Sequence, residues 1–154
     1  MRRPALLCVG FVFGASAALG ADSGARVVKQ AVIPGGSTIV VVAEGEFEAR
    51  SVESYSVRAY AGANPRFRFD DFIAGAVRPR SGTVELVSFS DLDRDGSPEI
   101  IVIIRSAGTG GHLSADAFQL RGTVLVLFET VSSLAKNADP IRALEAKLTA
   151  KRLR

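Results

Sequence analysis

The chain is short of three things: cysteine, histidine and any excess of one charge. It has 154 residues, one cysteine, one histidine, 19 basic and 16 acidic side chains. The single cysteine, Cys8, lies in a leader-like stretch. Arg2-Arg3 is followed by the uncharged apolar run Leu6–Leu19, and Ala18-Leu19-Gly20 offers small residues at a cleavage site. This is the pattern of a secretory signal peptide over residues 1–20, too short and wrongly flanked for a membrane span. Cys8 precedes most of the apolar run and follows Leu7, a poor setting for lipid attachment, so it goes with the leader. The single domain expected over residues 21–154 has no cysteine, and without disulfides it must rest on its core alone. Roughly 130 residues are enough to build one. Without Arg2 and Arg3, 17 basic residues face 16 acidic ones, a net charge of about +1. That balance gives no footprint for nucleic acid. No later run is long enough to cross a bilayer, so the expected location is the periplasm, with no membrane contact after cleavage.

What is present reads as β structure. Arg26–Ile33 and Thr38–Glu44 are rich in β-branched residues and are split by Pro34-Gly35-Gly36-Ser37, a hairpin signal. Glu46–Val52 is polar and reads as a connection. Ser54–Ala61 alternates, with Tyr55, Val57, Ala59 and Ala61 on one face. Phe67–Ala76 is apolar with Asp70-Asp71 at its middle, which calls for a bulge or a turn. Arg78–Gly82 reads as a turn before the strand Thr83–Phe89. Ile100–Ile104 and His112–Leu120 form a hairpin around the loop Ser106–Gly111, and Thr123–Thr130 is a last strand. Asp139 before Pro140 is an N-cap with proline at N1. Ile141, Leu144 and Leu148 then make one apolar helical stripe, with Lys147, Lys151, Arg152 and Arg154 at the C-terminal end, where cations suit the macrodipole. The expected fold is all-β and mainly antiparallel: a seven- or eight-stranded sandwich or barrel closed by a short C-terminal helix.

Two stretches could carry chemistry. In Asp91-x-Asp93-x-Asp95-Gly96-x-x-Glu99 the carboxylates of Asp91, Asp93, Asp95 and Glu99 could converge on Ca²⁺, a hard cation that takes oxygen ligands. The last ligand comes three residues earlier than in an EF-hand. The same residues also fit a tight inter-strand turn whose aspartates bond backbone N–H groups. The only histidine, His112, precedes Ser114 and Asp116 at strand spacing. That places all three in a straight row with histidine at its end, whereas a catalytic triad needs the base between nucleophile and acid. The loop Ser106-Ala107-Gly108-Thr109-Gly110-Gly111 lacks the lysine and following helix of a phosphate-binding loop. An enzyme is therefore not expected.

The chain resembles the periplasmic inhibitors of i-type (invertebrate) lysozyme. The resemblance is carried by Ser54-Tyr55-Ser56-Val57-Arg58, Asp71-Phe72-Ile73, Val77-Arg78-Pro79-Arg80, the acidic turn and, above all, Ile104–Phe118. It covers nearly everything from Arg26 to the C-terminal helix. The resemblance implies a β-sandwich-like protein that inserts a loop into the substrate cleft of lysozyme. The family's Ser-Gly-x-Tyr motif, whose hydroxyls reach the catalytic carboxylates, falls on Thr109, Gly110, Gly111 and His112. Thr109 keeps the hydroxyl, and His112 replaces the phenol. The implied partner-binding set is Arg105, Ser106, Gly108, Thr109, Gly110, Gly111 and His112. Thr109 and His112 would anchor, Gly110 and Gly111 would allow close approach, and Arg105 with Ser106 would brace the base. An imidazolium donates to a carboxylate with charge assistance, so binding should tighten as pH falls towards 6. No cofactor is required; a structural Ca²⁺ at the acidic turn remains open. The competing reading is a calcium-dependent adhesion or envelope-interaction module of the periplasm, in which the acidic turn matters and the loop is only a loop.

Overall fold

The computed structural model describes residues 26–45, 48 and 51–153. The leader expected over residues 1–20, with Cys8, lies outside them, as does most of the 46–52 connection. The elements are β1 (Arg26–Val32), β2 (Ile39–Glu44), β3 (Glu53–Tyr60), β4 (Phe72–Arg80), β5 (Gly82–Ser90), β6 (Glu99–Ser106), β7 (Leu113–Arg121), β8 (Val124–Leu134) and α1 (Pro140–Arg152). They form two four-stranded antiparallel sheets, ordered β1-β2-β3-β4 and β5-β6-β7-β8. The sandwich is thus the architecture formed, with eight strands among the described residues.

The uninterrupted apolar run of β6 has a physical reason. Ile100, Val102 and Ile104 point between the sheets against Val40, Val42, Tyr55, Val57 and Phe118. Ile101 and Ile103 point the other way, into a second core under α1 with Ala115, Ala117, Val131, Leu144 and Leu148. A strand covered on both faces has no reason to alternate. Asp139 caps α1 as expected, accepting from the N–H groups of Ile141 and Arg142 at 3.0 and 3.2 Å. The helix is held by Leu144 and Leu148, and burying such a side chain stabilises by roughly 1.5–3 kcal/mol.

Two boundaries differ from expectation. Arg78–Gly82 is not a turn: β4 runs to Arg80, and Ser81 alone carries the chain from one sheet to the other. The strand persists because Arg78 and Arg80 face inward, where they find acceptors. Arg80, 3% exposed, donates to the carbonyls of Ser54 (2.8 Å) and Gly82 and lies 3.8 Å from Glu44. Pro79 is tolerated because β4 ends its sheet. The last strand also outruns its expected end at Thr130, reaching Leu134 to pair with Leu113.

Candidate functional site

The loop between β6 and β7 is tied to itself. The Ser106 N–H donates to the His112 carbonyl at 2.8 Å and closes the base, and the Gly111 N–H donates to the Gly108 carbonyl at 3.1 Å across Thr109-Gly110. The Ser106 hydroxyl accepts from the Gly108 N–H at 3.2 Å. Gly111 sits at φ +54, a conformation that costs any residue with a Cβ. Ala107, Gly108, Thr109, Gly110 and His112 are exposed, while Arg105, Ser106 and Gly111 are half-buried. The loop is therefore a finger exposed at its tip, with both candidate anchors presented to solvent.

Its base is braced from outside. Arg105 forms a two-pronged ion pair with Glu85 on β5, through its Nε and, at 2.7 Å, its Nη2. Hydrogen bonding to Arg105 holds the Glu85 carboxyl below the usual carboxylate range. Arg105 Nη1 donates to the carbonyl of Gly111 at 3.0 Å and to that of Lys136 at 3.4 Å. His112 Nδ1 lies 3.2 Å from the Leu134 carbonyl. A carbonyl only accepts, so Nδ1 carries the proton, and the neutral ring is left with Nε2 as an acceptor. Donation to a carboxylate then requires the imidazolium, so the neutral ring's one donor is already spent at home. Glu85, Leu134 and Lys136 were missed by sequence reasoning. They lie 20 to 31 residues from their partners, and no local pattern marks them.

A cleft of about 400 Å³ opens beside the finger, lined in part by His112, Ser114, Asp116 and Arg78. It brings the three residues of the triad-like row together without making a triad. Asp116 accepts from Tyr55 Oη at 2.6 Å, Arg78 Nε at 3.3 Å and Thr130 Oγ1 at 2.7 Å. Its oxygens serve the join between the sheets, and His112 is turned to Leu134 instead.

The acidic turn is also self-satisfied. Asp91 accepts from the N–H groups of Asp95 (3.1 Å) and Gly96 (2.9 Å), and Asp95 from that of Ser97 (2.7 Å). Asp93 and Glu99 share the Gln119 amide at 2.7 and 2.9 Å, and Glu99 also takes the Leu92 N–H at 2.7 Å. Burial raises the Glu99 carboxyl above its ordinary range, against the pull of the Gln119 and Leu92 bonds. Asp91, Asp93 and Glu99 place one oxygen each within 4.8 Å of the others, and Asp95 is not in that group. Calcium takes six to eight oxygens. Here three carboxylates come together, and the amide of Gln119, its own oxygen held by Arg121 at 3.0 Å, donates to two of them, Asp93 and Glu99.

The sandwich thus holds out a polar finger, while Asp116 and the acidic turn are occupied by hydrogen bonds within the domain. The comparisons with known proteins place the chain in a family. Residues 25–148 match the family described as periplasmic lysozyme inhibitor of I-type lysozyme, and the chain belongs to that family. Two crystal structures of the Aeromonas hydrophila inhibitor of I-type lysozyme are similar to it, each 47% identical. One has a TM-score of 0.70 and covers 75% of this chain and 97% of that chain. The other, in complex with Meretrix lusoria lysozyme, has a TM-score of 0.71 and covers 76% and 94%. No curated protein sequence matches the chain.

Proposed function

We propose that this periplasmic inhibitor blocks an I-type lysozyme by seating Ser106–Gly111 and His112 in the enzyme's active-site cleft, and that it has no catalytic activity of its own. The supporting observation is the finger itself: exposed at Thr109 and His112, closed by its own hydrogen bonds and braced by Arg105. A pre-ordered loop loses little conformational freedom on docking, so a few polar contacts are not consumed by ordering costs. Binding energy at such interfaces concentrates in a few central side chains, here Thr109 and His112, with Gly110 and Gly111 permitting close backbone approach. The binding of Meretrix lusoria lysozyme by the similar A. hydrophila inhibitor supports an I-type enzyme as the partner.

Clearing of a cell-wall suspension by I-, c- and g-type lysozymes tests this reading. Wild-type protein should protect the wall from the I-type enzyme. The Thr109→Ala/His112→Ala double variant should weaken inhibition by about 100-fold or more while melting like the wild type. A folded double variant of undiminished potency overturns the insertion reading.

The acidic turn is proposed as a hydrogen-bonded brace that needs no metal. Adding EDTA or millimolar Ca²⁺ should leave both inhibition and the melting temperature unchanged. A clear rise in melting temperature with Ca²⁺, reversed by chelation, would restore the structural-calcium reading. Calcium-dependent attachment to cell wall without inhibition would instead favour the adhesion module.

A further inference from the structure

We propose that Glu85, which lies on β5 outside the finger, is a positioning residue for inhibition: it orients the Arg105 guanidinium, and Arg105 in turn holds the finger's return arm at Gly111. The proposal rests on the insertion reading above. Glu85 occupies a break in the β5–β6 register, where Val84 pairs with Ile104 and Leu86 already pairs with Ile103. It is therefore the extra residue of a bulge, and bulges re-aim a side chain that regular pairing would point elsewhere. Here it is aimed along the sheet at Arg105.

A guanidinium is planar, so gripping two of its nitrogens fixes the direction of the third. Glu85 takes Nε and Nη2, which leaves Nη1 directed at the carbonyls of Gly111 and Lys136. One arginine thus ties together β5, the finger and the connection between β8 and α1. His112 makes a second tie close by, to the end of β8 through Leu134. The Arg105 and Glu85 side chains are 37% and 41% exposed, and ion pairs so placed contribute little to global stability. Loss of Glu85 should therefore loosen the finger and leave the domain intact.

The test compares Glu85→Gln, Arg105→Gln and the double variant by dissociation rate from an I-type lysozyme, by amide exchange of Gly111 in the free inhibitor, and by melting temperature. Glu85→Gln should speed dissociation by about fivefold and accelerate Gly111 exchange, with the melting temperature unchanged. Arg105→Gln should do at least as much, and the double variant no more than Arg105→Gln alone, because the carboxylate acts only through the guanidinium. Additive effects would mean that Glu85 touches the enzyme directly, and unchanged exchange with unchanged dissociation would mean that it positions nothing; either overturns the proposal. Exchange is read without lysozyme, so it stands even if the Thr109→Ala/His112→Ala variant sinks the insertion reading.

Discussion

Asp116→Ala should lower the melting temperature by on the order of 10 °C, the largest loss expected from any single polar side chain here. Asp116 lies on β7 and faces inward, where it collects Tyr55 and Arg78 from the first sheet and Thr130 from its own. Removing it strands a phenol that is 0% exposed and an arginine whose side chain is 33% exposed. Leaving the buried phenol without its acceptor costs about 1–3 kcal/mol, and the weaker losses at the partly exposed Arg78 and at Thr130 add to it. For a domain of this size each kcal/mol is worth roughly 2–4 °C. Burial first, then the bond to Asp116, pushes the Tyr55 hydroxyl far above the ordinary phenol range, so it stays a donor throughout the working pH range. Tyr55→Phe removes a donor and leaves Asp116 with two others, so its cost should be smaller, about 1–2 kcal/mol. Thermal melts of the two variants check the order. Equal losses would mean that the Tyr55 hydrogen bond alone carries the effect of Asp116, with Arg78 and Thr130 adding nothing.

The second large effect is expected at Gly82. This residue opens β5 at φ +149, and a Cβ there would lie 1.9 Å from the Arg105 carbonyl oxygen and 2.8 Å from Ser106 Cα. Those are backbone atoms of the finger's base and have no rotamer to escape into. Gly82→Ala should therefore cost more than about 3 kcal/mol, combining backbone strain with the clash, and should weaken inhibition by displacing Arg105. Gly122→Ala supplies the comparison. Gly122 also has positive φ, at +59, but a Cβ there meets nothing within 4 Å, so only the strain remains, about 1 kcal/mol. Urea unfolding of both variants separates the terms. Equal losses would show that the approach of β5 to the finger is not tight.

The sequence announced elements more clearly than partners. Strand alternation in Ser54–Ala61, the hairpin around Ser106–Gly111 and the Asp139-Pro140 cap are local signals, and each corresponds to an element of the fold. The turn expected at Arg78–Gly82 failed because proline and glycine flank two arginines whose inward acceptors, Asp116 and Ser54, are 38 and 26 residues away. Period-two patterning assigns faces but never says what lies opposite. Asp116 was thus weighed with His112 and Ser114 for chemistry when its partner Tyr55 lies 61 residues upstream. The finger was legible through glycine content and resemblance, but its brace was not, because a bulge at Glu85 leaves no compositional mark.

Each sheet is a meander of consecutive strands, and only Ser81 crosses between them. Every pairing therefore joins sequence neighbours, and short closures cost less chain entropy than distant ones. In a polypeptide delivered from its N-terminus, all four strands of the first sheet are available before any of the second has emerged. The β6–β7 finger belongs to the later half, so it is assembled against a partner sheet already at hand.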